Sequence, residues 1–436
     1  MLLKFRVSNF KSFNSLSEFS MFSGATRSFE DHIIKKGGVK ALKNAVIYGA
    51  NAGGKTSFIS AIKESQDIIT KGLDFNYDLK KMYCRIDENN INKPTYFEYL
   101  IETCGSFYYY GFEIILSKSR IMSEWLVKYY PLGKGDVTEE TVFEREYKDD
   151  SDEIIPGTLI KNEDRTRFIF LKNDMIDSRE NCLALKYIGI RRLPNCTIIN
   201  DVFEWFRDKL FIDQAPVRDI GSLYRIGKML QSFDTDIREV KIKEISDNES
   251  KPPNVNLNDI ERQLHSMKGK IGMIVDHKNG YCYKLVNDEM KIYRVFTIHQ
   301  SNNSEYSFTE ESSGTQQAFR MSTIMTSNSS DETYIVDEYG LLMHPLLAYR
   351  FIQEYQKYDA KRSSQLIIAT HHVSLLTLDL YRRDEIWFID KKAGSSELYS
   401  LEEFQERFDK KLSKAYLEGR YGGLPLLSEL PVELDS

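Results

Sequence analysis

Cysteine is scarce and scattered in this chain: Cys84, Cys104, Cys182, Cys196 and Cys282 are its five, and no two form a C-x-x-C pair. The odd count and the spacing argue against a disulfide framework and a structural zinc site, and suit a reducing compartment. Long apolar runs are also missing, and no stretch approaches the roughly 18 uncharged apolar residues of a membrane span. The opening Met1-Leu2-Leu3-Lys4-Phe5-Arg6 places charges inside its first apolar run, so it does not read as a secretory leader. The expected location is the cytoplasm, away from the membrane. Positive charge is not in excess: 59 Lys and Arg stand against 65 Asp and Glu, a formal charge of −6. That balance is not the one expected of a protein that coats DNA, although it leaves room for a local basic groove. Internal repeats, low-complexity tracts and sustained heptads are absent too.

What is present is an ordinary globular composition, 41% hydrophobic and 28% charged, over 436 residues. That length calls for more than one lobe. Leu3–Val7 alternates with period two, Asn9–Phe13 reads as a turn, and Ser17–Phe22 as a second strand. From Pro94 to Glu146 the chain is rich in aromatics and strand-like, with Thr103-Cys104-Gly105 joining two of the strands. Such aromatics are more often cross-strand and core pairs than stacking platforms for bases. Residues 149–170 read as a charged surface loop or hairpin. Helical patterns follow at Glu180–Ile190, Cys196–Leu210, 221–232 and 256–267, with a flexible loop over Ser246–Pro253. Three short strands are expected between 270 and 299. The expected division is 1–175, 176–270 (mainly helical) and 271–436.

One stretch carries chemistry by itself. Gly49-Ala50-Asn51-Ala52-Gly53-Gly54-Lys55-Thr56 fits the phosphate-binding pattern G-x-x-x-x-G-K-[ST]. Ala45-Val46-Ile47-Tyr48 before it reads as a buried strand. Ser57–Ile62 after it reads as a helix start, with Phe58, Ile59 and Ile62 on one face. Strand, glycine-rich turn and helix N-terminus together make an anion site. Gly49, Asn51, Gly53, Gly54, Lys55, Thr56 and Ser57 are the expected ATP-binding residues. In this pattern Lys55 reaches the terminal phosphates and Thr56 the Mg²⁺ ion.

Three further motifs lie in the last third. Glu311–Gln317 places Ser313 and Gly314 at a helix start, where hydroxyl and N–H donors can meet a phosphate. Thr333-Tyr334-Ile335-Val336 is a short strand ending in Asp337 and Glu338. Strand alternation would aim the two acids differently, one towards Mg²⁺ and one towards the attacking water. Gln365–Ala369 is a second buried strand, ending in Thr370-His371-His372. A neutral imidazole there can contact the γ-phosphate, and His371, directly after Thr370, is favoured over His372.

As a set, the loop at 49–56, Ser313-Gly314, Asp337-Glu338 and Thr370-His371 resemble the motifs of ABC-type ATPases of the RecF/SMC/OLD-like group. The opening Phe5-Arg6-Val7-Ser8-Asn9-Phe10-Lys11-Ser12-Phe13 is similar to that group's first strand and turn. Tyr110-Gly111-Phe112-Glu113, Glu124-Trp125-Leu126, His344-Pro345 and Ala415–Pro425 bring the chain nearer to AAA-15/AAA-21-type ATPases of bacterial phage-defence operons, such as RloA and the AbiL ATPases. The resemblance implies an α/β fold: a P-loop head of mixed sheet and flanking helices, an antiparallel β subdomain, and an inserted, mainly helical lobe. It implies ATP and Mg²⁺ as cofactors, with Thr56 and Asp337 toward the metal and Lys55, Glu338 and His371 toward the reaction. It implies a homodimer or higher oligomer in which Ser313 and Gly314 act in trans. The sequence departs from the group after Glu338, where Tyr339-Gly340-Leu341-Leu342-Met343 lacks an aspartate, and no Q-loop glutamine can be placed, Gln66 and residues 82–87 being weak candidates.

The function that follows is an ATPase switch of an anti-phage system, controlling a separate effector encoded nearby. A nuclease is the expected effector, because no nuclease chemistry is visible in this chain beyond Asp337-Glu338. The alternative is a RecF-like DNA-binding ATPase in repair, for which Arg191-Arg192 and Arg382-Arg383 are the candidate basic clusters. A third reading is an ATP-bound scaffold with little turnover, which Glu338 argues against.

Overall fold

The computed structural model describes residues 1–73, 77–131, 137–148, 151–178, 181–213, 215–217, 219–233, 235–245, 252, 255–266, 273–276, 279–327, 331–359, 362–404 and 412–424. In chain order its elements are β1 (Leu2–Ser8), β2 (Ser17–Ser20), β3 (Ile33–Lys36), β4 (Val39–Leu42), β5 (Asn44–Gly49), α1 (Lys55–Lys71), β6 (Thr95–Thr103), β7 (Ser106–Ile115), β8 (Arg120–Pro131), β9 (Val137–Lys148), β10 (Ser151–Pro156), α2 (Asn162–Asp177), α3 (Ala184–Arg191), α4 (Ile198–Asp208), β11 (Leu210–Ile212), α5 (Ile220–Ser232) and β12 (Ile237–Glu244). There follow α6 (Leu257–Ser266), β13 (Met273–Asp276), β14 (Tyr281–Val286), β15 (Glu289–His299), β16 (Glu305–Ser307), α7 (Ser313–Thr326), β17 (Thr333–Val336), α8 (Pro345–Asp359), β18 (Gln365–Ala369), β19 (Ile386–Lys392), β20 (Ser395–Ser400) and α9 (Leu412–Leu417). The fold is α/β, with mixed sheet, flanking helices and an antiparallel β subdomain. Two compact units divide it: Met1–Arg207 with Ile367–Ser436, and Asp208–Leu366. Of the stretch 176–270, residues up to 207 thus pack with the first unit and the rest with the second. Among the described residues no helix is long and apolar enough to cross a membrane.

In the first unit a seven-stranded antiparallel sheet runs β10-β9-β8-β7-β6-β1-β2. Its hairpins follow from turn chemistry. Cys104 (φ 50°) and Gly105 (φ 78°) both take left-handed backbone, which matches the twist of a two-residue hairpin, and Thr103 pairs with Ser106. Phe97, Tyr99, Phe107, Tyr110 and Phe112 are buried, so the aromatic wealth of this region is core. The turn at Asn9 is held from the side. Its Nδ2 donates to the Asn90 and Lys93 carbonyls, and its Oδ1 accepts the Cys84 N–H. Of the surface loop or hairpin expected over residues 149–170, the hairpin alternative holds for the first part, where Ser151 pairs with Lys148, and a helix replaces the rest. Residues 151–156 extend the sheet as β10, and α2 begins at Asn162. Charge on one face disguised the burial of the other, where Phe168, Leu171 and Met175 are covered and Phe168 lies 6.1 Å from Phe143. Beside this subdomain, β5 pairs in parallel with β19, and β20 pairs antiparallel with β19.

The second unit holds an antiparallel sheet of order β12-β15-β14-β13, with β16 on β15. Leu264 of α6 packs on Tyr281 and Tyr283. The short strands β11 and β17 run parallel in register, Leu210 opposite Thr333 and Ile212 opposite Ile335. Helices α5, α7 and α8 belong to this unit, and Phe351 of α8 lies 6.0 Å from Phe233 and 6.1 Å from Tyr339. The loop expected over Ser246–Pro253 lies outside the described residues apart from Pro252, and so does Pro425 of the Ala415–Pro425 motif.

One buried charge ties the first unit's sheet to its helices. Glu124 on β8 is 1% exposed and accepts the N–H groups of Ala184 and Leu185 at 2.7 and 2.9 Å, where α3 begins. It also accepts the Tyr110 hydroxyl at 3.0 Å and faces Arg145 at 3.6 Å. Burial pushes the Glu124 carboxyl above its ordinary range, and Arg145 with the helix N–H groups opposes that shift. Glu124→Ala would leave Arg145 buried beside three unsatisfied donors. The expected loss is about 3 kcal/mol of stability, measured by urea unfolding followed by circular dichroism; a loss within experimental error would show that water replaces the carboxylate.

Candidate functional site

The first unit carries the phosphate loop. β5 is buried along its whole length and delivers Gly49 to the loop at its C-terminal end. A Cβ on Gly49 would stand 2.5 Å from the Ile389 carbonyl oxygen, so only glycine fits. Gly54 has φ +124°, and its missing Cβ would meet Ser396 Oγ at 2.3 Å. Ala52 also takes left-handed backbone (φ 62°), and the Gly53 N–H donates to the Ala50 carbonyl at 3.1 Å. No side chain caps the N-terminus of α1, whose N-cap is Gly54. The helix therefore starts with N–H groups and a positive dipole end directed at an anion. Asn51 and Thr56 are exposed at the loop, and Ser57 is half-buried. Lys55 is 6% exposed, and its Nζ donates to the carbonyls of Gly49 at 2.6 Å and Ala50 at 3.0 Å. Its ammonium is thus held over the loop, within reach of any phosphate seated there.

Two neighbours brace this loop. Ser396 on β20 donates its hydroxyl to the Gly53 carbonyl at 2.7 Å, while its N–H donates to the Ser12 carbonyl at 2.7 Å. The turn Gly419–Gly423 packs from another side. A Cβ on Gly423 (φ +66°) would lie 3.3 Å from the Gly49 Cα, and one on Gly422 (φ +64°) 2.6 Å from the Tyr399 hydroxyl. Tyr399 and Tyr416 hold the turn by donating to the Tyr421 and Gly423 carbonyls at 2.6 and 3.0 Å. Neither Ser396 nor the Gly422-Gly423 pair stands out as a phosphate-loop partner in sequence, because both lie more than 340 residues downstream. The Thr370 N–H donates to the Ile47 carbonyl at 3.1 Å, which sets the end of β18 beside β5. Thr370 is fully buried and its Oγ1 accepts the His372 N–H at 3.1 Å; His371 is exposed and His372 half-buried.

The second unit carries the acids and the serine–glycine helix start. β17 ends at Val336, so Asp337 and Glu338 lie in the turn beyond it and not on opposite faces of the strand. Glu338 takes left-handed backbone (φ 49°), a costly conformation for a non-glycine residue. Its N–H donates to Asp337 Oδ1 at 2.9 Å. The Asp337 N–H donates to Asp213 Oδ1 at 3.0 Å, and the Asp213 N–H to the Ile335 carbonyl at 2.7 Å. Asp213, at the end of β11, was not legible in sequence, since a three-residue strand gives almost no periodicity. Glu338 is exposed and Asp337 half-buried.

At the start of α7, Ser312 is the N-cap and accepts the Thr315 N–H at 3.1 Å, leaving Ser313 exposed in the first turn. A Cβ on Gly314 would stand 2.7 Å from the Leu342 carbonyl oxygen. Gln317, one turn on, is 3% exposed. Its Nε2 donates to the Glu338 carbonyl at 3.3 Å and its Oε1 accepts the Leu342 N–H at 3.1 Å. The helix that presents Ser313 is thus bonded to the turn that presents Glu338.

Other candidates fall elsewhere. Gln66 lies within α1 and donates to the Phe206 carbonyl at 2.6 Å, which makes it a packing residue. Arg382 is fully buried, forked onto Asp384 and donating to the Thr26 carbonyl at 2.8 Å, and Arg383 donates to the Leu401 carbonyl at 3.4 Å. Arg191 covers the Tyr187 ring at 3.5 Å, and Arg192 pairs with Glu204 at 2.9 Å. Arg382 and Arg383 are thus engaged within the fold, while Arg191 and Arg192 lie exposed on the surface.

Among solved structures the chain is similar to an SmcHead bound to the C-winged helix domain of ScpA, at 12% identity and a TM-score of 0.44, covering 95% of this chain and 99% of that one. It is similar to the SMC head domain from Thermotoga maritima at 12% identity and a TM-score of 0.35, with 92% and 98% covered. It is similar also to an Smc head domain with an extended coiled coil bound to the C-terminal domain of ScpA derived from Pyrococcus furiosus, at 10% and 0.41, with 96% and 98% covered. No curated protein matches. The family described as "AAA domain, putative AbiEii toxin, Type IV TA system" matches residues 45–377, from the strand before the phosphate loop to beyond Thr370-His371-His372. The chain, with its phosphate loop and paired acids inside that span, belongs to this AAA-21 family.

Proposed function

We propose that the chain is a Mg²⁺-dependent, ABC-type ATPase whose site is completed by a second copy of itself, and that it serves as the switch subunit of an anti-phage system. The observation that carries this reading is the bridge through Gln317. A phosphate meeting Ser313 and Gly314 pulls on α7, and α7 is bonded to the Glu338 carbonyl. Docking at the helix start is thereby linked to the acid that activates water.

In this reading the loop N–H groups and the α1 dipole bind the phosphates, and Lys55 moves its ammonium from the Gly49 and Ala50 carbonyls onto them. Thr56 and Asp337 supply the hard oxygen donors that suit Mg²⁺, an ion that neutralises charge on the phosphates when bound. Asp213 fixes the Asp337 backbone. Glu338 takes the proton of the attacking water as the bond to the γ-phosphorus forms and the bond to the ADP oxygen breaks. His371 is assigned to the γ-phosphate. Support for a second copy comes from Leu342, whose carbonyl lies against Gly314, and its neighbour Leu341, which are 50% and 54% exposed. Two large apolar side chains so near a polar helix start suit a surface that another subunit covers. They stand where related heads carry an aspartate, so apolar burial would replace polar coupling there.

The defence role rests on the family, whose description names an abortive-infection toxin of a type IV toxin–antitoxin system. The effector is assigned to a separate protein, a nuclease encoded beside this chain. The buried Arg382 and the engaged Arg383 remove one of the two basic clusters on which the RecF-like alternative rests.

Lys55→Ala is expected to weaken MgATP binding at least tenfold. Glu338→Gln should bind MgATP normally but hydrolyse it on the order of 10²-fold more slowly. Equilibrium binding and phosphate release measure the two effects, and a Glu338→Gln enzyme of undiminished turnover would remove Glu338 from the chemistry. Action in trans is tested by mixing two inactive variants, Lys55→Ala and Ser313→Arg. If sites form between copies of a symmetric dimer, a 1:1 mixture regains about a quarter of native activity; no recovery would mean each chain completes its own site. In cells, protection against phage should require both the neighbouring gene and Lys55, and protection by this chain alone would end the separate-effector idea.

A further inference from the structure

We infer that a cleft between the β2 and β20 edges of the first unit is a docking site for an extended, basic segment of a partner protein. The seven-stranded sheet ends at β2, and β20 ends the neighbouring sheet. The two edges border a cleft of about 880 Å³ lined by Glu18, Trp387, Asp390, Leu398 and Tyr399 among others.

The backbone leaves one residue open to an incoming chain on each wall. The outward N–H groups of β20 alternate. Ser396 donates to the Ser12 carbonyl and Ser400 to Glu403 Oε1, both at 2.7 Å. With the regular β19–β20 register, Leu398 between them must also point its N–H and C=O away from β19, into the cleft. On the opposite wall the Met21 N–H bonds inward to the Leu3 carbonyl, so Glu18, three residues earlier, turns its backbone outward. Neither outward backbone has a hydrogen-bond partner among the described residues. Trp387 lines the cleft at 7% exposure, and among the described residues its buried indole N–H has no acceptor. A helix would bring its backbone groups already paired. An extended chain brings alternating carbonyls and N–H groups, which this cleft lacks.

Charge selects the side chains. Four carboxylates line the cleft, Glu18, Asp390, Glu397 and Glu403, against Lys392 and Arg420. Glu18 is already paired with Lys4 and Arg6, and Glu397 with Lys392. Asp390 accepts only the Lys391 N–H and has no ion pair among the described residues. A lysine or arginine of the incoming strand would meet it, and Leu16, 58% exposed in the lining, would cover an apolar neighbour. Nucleic acid is disfavoured by the same acids.

The site also has a route to the nucleotide. Ser396, two residues before Leu398, holds the Gly53 carbonyl of the phosphate loop. A strand laid on β20 restrains Ser396, and through it the loop. This coupling depends on the proposed ATPase function, whereas the docking does not.

The test is a selection of dodecapeptides from a displayed random library on the full chain without nucleotide. Binders should carry two or more Lys or Arg in alternation with β-branched or aromatic residues, and should lose binding when a central residue becomes proline. Their affinity, by calorimetry, should fall about tenfold for Trp387→Phe and severalfold for Asp390→Asn, and persist in Lys55→Ala. Proline-tolerant binders, binders indifferent to both cleft variants, no binders at all, or self-association of the chain that Trp387→Phe abolishes, would each overturn the proposal. With binders in hand, a shift in MgATP affinity on peptide addition reports the coupling separately.

Discussion

The carbonyl oxygen of Ile389 is the point on which the nucleotide end of the first unit closes. Missing Cβ atoms of Gly49, Gly53 and Gly423 would stand 2.5, 3.3 and 3.3 Å from it. Three separate stretches, the end of β5, the tip of the phosphate loop and the turn after α9, therefore pack on one backbone atom in the middle of β19. The phosphate loop can fold back without a side chain to fill it because β19 fills it. The same packing explains why Lys55 is held in place before any phosphate arrives. The loop closes tightly enough to bring the Gly49 and Ala50 carbonyls around the ammonium. That arrangement offsets the cost of burying the charge and leaves it one rotamer change from an anion.

The second unit uses an analogous economy of atoms. Gly314 lies against the Leu342 carbonyl, and Gln317 joins the Leu342 N–H to the Glu338 carbonyl. Glu338 stays in a left-handed conformation because both its sides are tied, its N–H to Asp337 and its carbonyl to Gln317 and the Leu341 N–H. Strain held by such ties is what allows a side chain to be aimed without being buried. A carboxylate that must meet water and phosphate benefits from that exposure.

The parts of this arrangement legible in sequence were those with short-range signatures. The glycine spacing of 49–56, the apolar run before Asp337 and the run before Thr370 each fit within ten residues, and each was assigned to the element it forms. The parts that escaped were long-range. Ser396 reaches Gly53 across 343 residues, and Asp213 reaches Asp337 across 124. No local pattern encodes such contacts. Arg382-Arg383 illustrates the opposite failure, because a charge pair looks solvated in sequence. Asp384 and the Thr26 and Ser28 carbonyls, which bury it, are supplied only by the fold. The helix α2 escaped for a related reason: its charged face dominates the sequence, while its buried apolar residues Phe168, Leu171 and Met175 are few.

These long-range contacts bear on how a switch of this kind can be governed. β20 presents Ser396 to the phosphate loop, and two residues later Leu398 sits on an open edge. A strand is stiff along its length, so whatever orders the edge also narrows the positions open to Ser396. Linkage then works both ways: if a partner's strand on β20 favours the nucleotide-bound loop, nucleotide must favour that partner by the same factor. The size of that factor is bounded by what the Ser396 hydroxyl can transmit, a single hydrogen bond worth about 1 kcal/mol, or about fivefold in affinity. Coupling of that size does not make an all-or-none switch by itself. It would become sharp if two copies had each to satisfy it before either site were complete, as the proposed pairing of copies through the α7 start requires.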